Sequence, residues 1–148
     1  MVRLSPSCWL KTSVEFHPDR PSQLGVVVTN SGWSDWSTMD FPLGVDEVSL
    51  RVRREGSDYL VEATLPASAA AATTGVQAGG AADGVDGWTQ LRMAHLIEDT
   101  APSGLAAGGG TCAVAAGLYC ASPLGPGFEA TFHHLTALRG RIEGPRED

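Results

Sequence analysis

Two kinds of side chain alternate strictly from residue 8 to residue 16, and this alternation constrains the fold more than any other feature of the sequence. One set is mostly apolar and contains Cys8, Leu10, Thr12, Val14 and Phe16. The other set contains Trp9, Lys11, Ser13 and Glu15. Because successive side chains of a β-strand point to opposite sides, the pattern predicts one strand whose apolar side faces a core.

The second set places an aromatic ring, a cation, a hydroxyl and a carboxylate in one row. Alternate residues of a strand lie roughly 6.5–7 Å apart, so the row is about 20 Å long. This row is a candidate for part of a concave binding face, because a merely solvated face more often carries Thr, Lys, Glu and Ser than a large Trp. The alternative is an outward, solvated face on which Trp9 covers a neighbouring strand.

Strand character recurs along the rest of the chain, with turns rich in Pro and Gly between the segments. The further predicted strands are residues 1–4, 23–30, 45–54, 58–65, 88–97, 111–121 and 128–135. The spacing of Trp33 and Trp36 fits neither a strand nor a clear helix. Since no segment has a convincing amphipathic helical pattern, we predict an all-β fold, an antiparallel β-sandwich.

The 148 residues are predicted to form a single domain over residues 1–138, followed by a charged tail at 139–148. Residues 66–87 are mostly Ala, Gly, Thr and Ser, with almost no large side chain. Such a stretch buries too little apolar surface to offset the entropy lost on ordering, so it predicts a mobile loop between strands. A second flexible loop is predicted at 99–110.

Composition excludes several classes of partner. The formal net charge of −7 argues against nucleic acid, whose phosphates require a basic patch. The sequence has neither a run of about 20 apolar residues nor a signal pattern, so we expect no membrane partner. Three cysteines cannot all pair within one chain, and Cys112 and Cys120 lie too far apart along one predicted strand. We therefore expect a reducing, cytoplasmic setting.

Catalytic chemistry finds little support in the sequence. Glycoside hydrolysis needs two carboxylates about 5–5.5 Å or roughly 6.5–9.5 Å apart. No strand carries two acids in alternation on a plausible inner face, and Asp46 and Glu47 point to opposite faces. Glu15 and Glu129 lie on different predicted strands. They are the remaining candidate pair, if the fold brings their two carboxylates close together. We expect no catalytic residues, and keep a glycoside hydrolase as the alternative.

The sequence gives even less support for a metal site. His133 and His134 are adjacent on a predicted strand, so their side chains face opposite ways. No Cys or His stands at zinc-ligand spacing. We therefore expect neither a metal nor another cofactor.

Carbohydrate binding demands less, namely an aromatic platform and a few polar groups that hold hydroxyls. The candidate ligand-binding residues are Trp9, Lys11, Glu15, Trp36, Arg92, Tyr119 and Glu129. We expect Arg92 to share a groove with Trp9, Lys11 and Glu15 and to reach Glu15. The alternative for Trp33 and Trp36 is that both rings plug an end of the sandwich.

Several short motifs occur in the order found in one known family. They are Met1-Val-Arg3, Trp9-Leu-Lys-Thr12 with Glu15, Val26-Val-Val-Thr29, Ser34-Asp-Trp-Ser37, Arg92-Met-Ala94, Gly117-Leu-Tyr119, Ser122-Pro123 and Phe128-x-x-x-Phe132. In these motifs the chain resembles the uncharacterised family typified by the regulation-of-enolase protein, which belongs to the concanavalin A-like lectin/glucanase jelly rolls.

The resemblance implies a concanavalin A-like jelly roll that acts as a non-enzymatic binding or regulatory module. Its ligand would be a carbohydrate-like small molecule on the concave face, or a protein partner such as a metabolic enzyme. The family has no established catalytic residues to carry over. Its members have further strands before the position of Met1, so we expect this sandwich to be incomplete at the N-terminus and prone to associate.

Overall fold

The computed structural model describes residues 1–56, 58–66, 87–99 and 114–138. The body of the predicted loop at 66–87, most of the predicted loop at 99–110, the tail at 139–148 and Cys112 lie outside the described residues. The chain divides into two compact units, Met1–Gly117 and Leu118–Asp148, which are described separately. The single domain over residues 1–138 stays a prediction.

The described residues of the first unit form eight β-strands, and the described residues of the chain include no helix. The strands are β1 (Val2–Ser5), β2 (Cys8–Glu15), β3 (Gln23–Asn30), β4 (Trp33–Asp40), β5 (Ser49–Glu55), β6 (Asp58–Thr64), β7 (Thr89–His95) and β8 (Ala115–Ala116). They form a five-stranded sheet in the order β4-β3-β2-β1-β8 and a three-stranded sheet in the order β5-β6-β7. Every pairing is antiparallel, which confirms the predicted antiparallel β-sandwich.

One hydrophobic cluster joins the two sheets. The five-stranded sheet contributes Val2, Cys8, Leu10, Val26 and Val28. The three-stranded sheet contributes Tyr59, Val61 and Ala94, and Leu96 follows directly after β7. A smaller cluster of Leu24, Phe41 and Ala63 lies beside it. The apolar set of residues 8–16 therefore faces the core at its N-terminal end, where Cys8 and Leu10 are fully buried.

Asn30 ties the two sheets together at one end of the sandwich. Its side-chain amide donates to the carbonyl of His95 at 2.8 Å, and its Oδ1 accepts from the backbone N–H of Ile97 at 3.0 Å. The same oxygen accepts from the buried thiol of Cys8 at 3.4 Å. These contacts give Cys8 a structural role in the core.

The sequence-based interpretation of the segment around Trp33 and Trp36 was wrong, because this segment is the regular strand β4. The turn that precedes it explains why. Ser31 and Gly32 both have positive φ, 51° and 81°, and Asn30 lies opposite Trp33. Two central residues with positive φ are typical of the two-residue hairpin turn whose twist matches that of its strands.

Gly32→Ala is therefore expected to destabilise the hairpin. Its φ of 81° is a conformation that costs an L-residue with a Cβ about 1–2 kcal/mol, so the free energy of unfolding should fall by about that amount. Urea denaturation followed by circular dichroism measures it. Gly117→Ala is the matched control, since Gly117 has neither a positive φ nor a crowded Cβ position. Equal losses in the two variants would contradict this account of the turn.

The C-terminal part of the chain departs from prediction. The predicted strand at 111–121 is reduced, among the described residues, to the two-residue β8, which pairs with β1. The predicted strand at 128–135 is wrong, since these residues form no strand. A strand needs the backbone of a neighbour to complete its hydrogen bonds, and alternation in sequence does not supply one.

Candidate functional site

The outer face of the five-stranded sheet carries most of the predicted binding row. We define the outer face as the side of β1, β2, β3 and β4 that points away from the three-stranded sheet. Leu10 and Val28 lie opposite each other and are buried in the core, so their neighbours in sequence belong to the outer face. Lys11, Val27 and Trp36 form one cross-strand row on it.

Lys11 and Glu15 form an ion pair on the outer face. Their charged atoms are 3.8 Å apart, and the two side chains reach toward each other past Ser13 on the same side of β2. The side chains are only 22% and 28% exposed. The pair is therefore partly sheltered and places both signs of charge next to each other on the outer face.

Trp36 lies over a glycine of the neighbouring strand. Its indole Nε1 is 3.0 Å from the position that a Cβ on Gly25 would occupy, and Gly25 is opposite Thr38. The absence of a side chain at Gly25 therefore makes room for the edge of the indole. Trp36 remains 52% exposed and shares its cross-strand row with Lys11.

Trp9 occupies the next cross-strand row of the outer face. It lies opposite Arg3 on β1 and Thr29 on β3, and it is half-buried. Trp9, Lys11, Glu15 and Trp36 are thus four predicted site residues that the sheet brings onto one face. Because Trp36 lies on this outer face, its position is explained without the alternative in which its ring plugs an end of the sandwich.

Arg92 does not join them, and the expectation that it reaches Glu15 was wrong. It lies opposite the fully buried Val61, so its side chain is on the inner side of the three-stranded sheet. Its guanidinium binds the carboxylate of Asp35 and is 3.4 Å from the hydroxyl of Ser37 on β4. Asp35 and Ser37 flank Trp36 in the sequence, so their side chains lie on the inner side of β4. Arg92 therefore links the two sheets from the inner side.

Tyr119 and Glu129 belong to the second unit, and both side chains are exposed. That unit has a shallow cavity lined by Cys120, Ala121, Ser122, Gly127, Phe128 and Ala130. Neither Tyr119 nor Glu129 lines it. Their assignment to a binding site stays a prediction.

Sequence reasoning missed Asp40. The cross-strand row that contains Glu15 continues through Gln23 to Asp40, so both carboxylates lie on the outer face. The signal that was overlooked is the Ser31-Gly32 turn, which sets the register of β4 against β3.

A second polar cluster lies on the solvent side of the three-stranded sheet. Glu62 accepts two hydrogen bonds each from Arg51 and Arg53, at 2.8–3.2 Å, and the guanidinium of Arg51 stacks 4.2 Å from the ring of Trp88. Burial alone would raise the pKa of Glu62, but the hydrogen bonds and charges of the two arginines hold that pKa below its ordinary value. This cluster fastens β5 to β6.

Comparison with protein families decides what the chain is related to. The model of a family described as "Protein of unknown function (DUF1349)" matches residues 1–139, nearly the whole chain. The chain belongs to the DUF1349 family. The match to DUF1349 covers all of β1 to β8 and therefore the entire outer face. Neither the curated proteins nor the solved structures gave a significant match.

The part of the chain that the structure describes contains neither a metal-binding cluster nor a membrane-spanning helix. No group of three or more His, Cys, Asp or Glu side chains there is placed to hold a metal ion. The same residues include no helix long and apolar enough to cross a membrane.

Proposed function

We propose that this chain is a non-enzymatic binding module that holds a carbohydrate-like small molecule on the outer face of its five-stranded sheet. The observation that carries the proposal is the half-exposed indole of Trp36, seated over Gly25 beside the sheltered Lys11–Glu15 pair. An aromatic ring offers a flat surface for the apolar side of a sugar ring, while the ammonium and carboxylate offer a donor and an acceptor for hydroxyls.

The charge of the outer face supports an uncharged ligand. Its formal charges at neutral pH are those of Arg3, Lys11, Glu15 and Asp40, which sum to zero, whereas the whole chain carries −7. A neutral patch on an acidic protein favours a polar, uncharged molecule over a nucleic acid or another polyanion. The resemblance to the regulation-of-enolase family and to the concanavalin A-like lectins and glucanases supports the same class of ligand.

A glycan and metabolite panel tests the proposal, read first by thermal shift and then by calorimetry on any ligand found. Trp36→Ala is expected to weaken binding by about thirtyfold, the loss typical of an aromatic anchor. Trp33→Ala is the matched control, because it removes the same side chain from the same strand but from the inner side. The absence of any sugar ligand, or equal losses from the two variants, would overturn the proposal.

A glycoside hydrolase is the second candidate, and one observation favours it. Glu15 and Asp40 lie in the same row with Gln23 between them, which separates their backbones by about 9.6 Å, or two interstrand spacings. An inverting enzyme needs its two carboxyl groups roughly 6.5–9.5 Å apart, a spacing that two side chains projecting from the same face of these strands would reach. Release of reducing sugar that is lost in both Glu15→Gln and Asp40→Asn would support hydrolysis over simple binding.

A protein partner such as a metabolic enzyme is the alternative ligand of a regulatory module, in line with the regulation-of-enolase resemblance. Trp36→Ala, but not Trp33→Ala, should then weaken binding to that enzyme. We also propose a reducing, cytoplasmic setting, because the three cysteines of the sequence cannot all pair within one chain.

A further inference from the structure

Strand β4 is an open edge of the five-stranded sheet. Within the described ranges it pairs with β3 alone, and all eight of its residues are exposed. Edge strands of monomeric proteins are usually protected by shortness, lysine, proline or a bulge. β4 has none of these, since it is eight residues long, contains no Lys or Pro, and keeps an uninterrupted register with β3.

The charges on β4 do not protect it either. An inward-pointing charge discourages pairing at an edge, and Asp35 points inward. The guanidinium of Arg92 already binds the Asp35 carboxylate, so this charge is compensated within the protein. The other charge, Asp40, is the last residue of the strand.

We propose that β4 pairs antiparallel with β4 of a second copy, so that two five-stranded sheets become one continuous sheet. Two-fold symmetry with both cores on the same side requires residues of the same face to lie opposite each other. A register centred on Trp36 meets this requirement. It places Trp33 opposite Met39 of the second copy and Asp35 opposite Ser37 of the second copy.

We choose a second copy of the chain as the partner of β4 because the side chains of β4 are complementary to those of a second, antiparallel β4. The register centred on Trp36 makes three apolar cross-strand pairs, two of Trp33 with Met39 and one between the two Trp36 rings. Trp33 is 84% exposed, and Met39 is also exposed, so both side chains have surface to bury. No like charges are opposed, because Asp40 falls opposite Gly32. Aromatic cross-strand pairs stabilise a sheet.

The dimer goes beyond the proposed ligand site but shares Trp36 with it. Its test therefore uses Trp33 and Met39, which lie on the inner side of β4, whereas the ligand-binding residues are on the outer face. Pairing along one strand is a small interface, so a weak, concentration-dependent dimer is expected. Each copy carries −7, so salt should strengthen the association by screening their repulsion.

Sedimentation velocity on the full chain, over a wide concentration range at low and high salt, tests the dimer. Trp33→Lys and Met39→Lys are each expected to raise the dimer dissociation constant about tenfold or more. Combining Trp33→Lys with Met39→Glu should restore the dimer, because it places opposite charges across both pairs. Phe16→Lys is the matched control, since Phe16 is 80% exposed and lies outside the strands.

Backbone hydrogen exchange keeps the test decisive if a variant folds poorly. In the unmodified protein, exchange of the amides of residues 33–40 should slow as the protein concentration rises. Equal protection at all concentrations would mean that another part of the chain pairs with β4, and this would overturn the proposal. A monomer at every concentration, unlimited aggregation, or a dimer indifferent to the Trp33 and Met39 variants would overturn it as well. Failure of the sugar-binding test would leave these results unchanged.

Discussion

Replacing Leu10 by alanine is expected to lower the free energy of unfolding by about 3 kcal/mol. Leu10 is fully buried between the two sheets, and large-to-small changes at such sites cost about 2–5 kcal/mol. Urea denaturation at neutral pH measures the loss.

Lys11→Ala is the control for Leu10→Ala, one position along the same strand. It removes a partly exposed side chain and one ion pair, and such pairs contribute about 0–1 kcal/mol. The alternation of β2 therefore predicts a large loss at Leu10 and a small one at Lys11. Similar losses at the two positions would contradict the assignment of the core and outer faces.

Glu62→Gln is expected to lower the free energy of unfolding by about 2–3 kcal/mol at neutral pH, within the range for hydrogen bonds to a charged group. The Glu62 side chain is 8% exposed and receives two hydrogen bonds from each of two arginines. Glu55→Gln is the matched control, because Glu55 pairs with Arg53 but is 49% exposed. We expect little change in that variant.

The lowered pKa of Glu62 also predicts how stability depends on pH. A carboxyl group whose pKa is lower in the folded state binds a proton more readily when unfolded. Its stabilisation is therefore complete above the unfolded pKa of about 4.3 and is lost as the pH falls from there through the lower folded value. Denaturation curves across this range should show a steeper loss for the unmodified protein than for Glu62→Gln. Parallel curves would contradict the role of the two arginines.

Local alternation determined much of the fold. The residues of β2 read as a strand because apolar and polar side chains alternate, and β3, β5, β6 and β7 were predicted within a few residues of their observed bounds. Their antiparallel pairing followed from short turns rich in Gly and Pro. β4 was missed because its residues carry no apolar alternation, and its conformation depends on the Ser31-Gly32 turn and on pairing with β3.

The candidate site was predictable only in part. Trp9, Lys11 and Glu15 share a face because they alternate within one strand, which depends on local geometry alone. Adding Trp36, Gly25 and Asp40 required the register between strands, which is a tertiary property.

What the sequence determined by itself was six of the strands (β1, β2, β3, β5, β6 and β7), the antiparallel sandwich and the outer row of β2, since these depend on period-two alternation and turn chemistry. Only the tertiary structure decided that Arg92 faces Asp35, because that requires knowing which side of β7 packs against the five-stranded sheet. It also decided that Glu62 receives both arginines and that β4 is an edge strand among the described residues. Contacts between residues far apart in sequence are set by how the sheets pair and pack, and no local pattern encodes them.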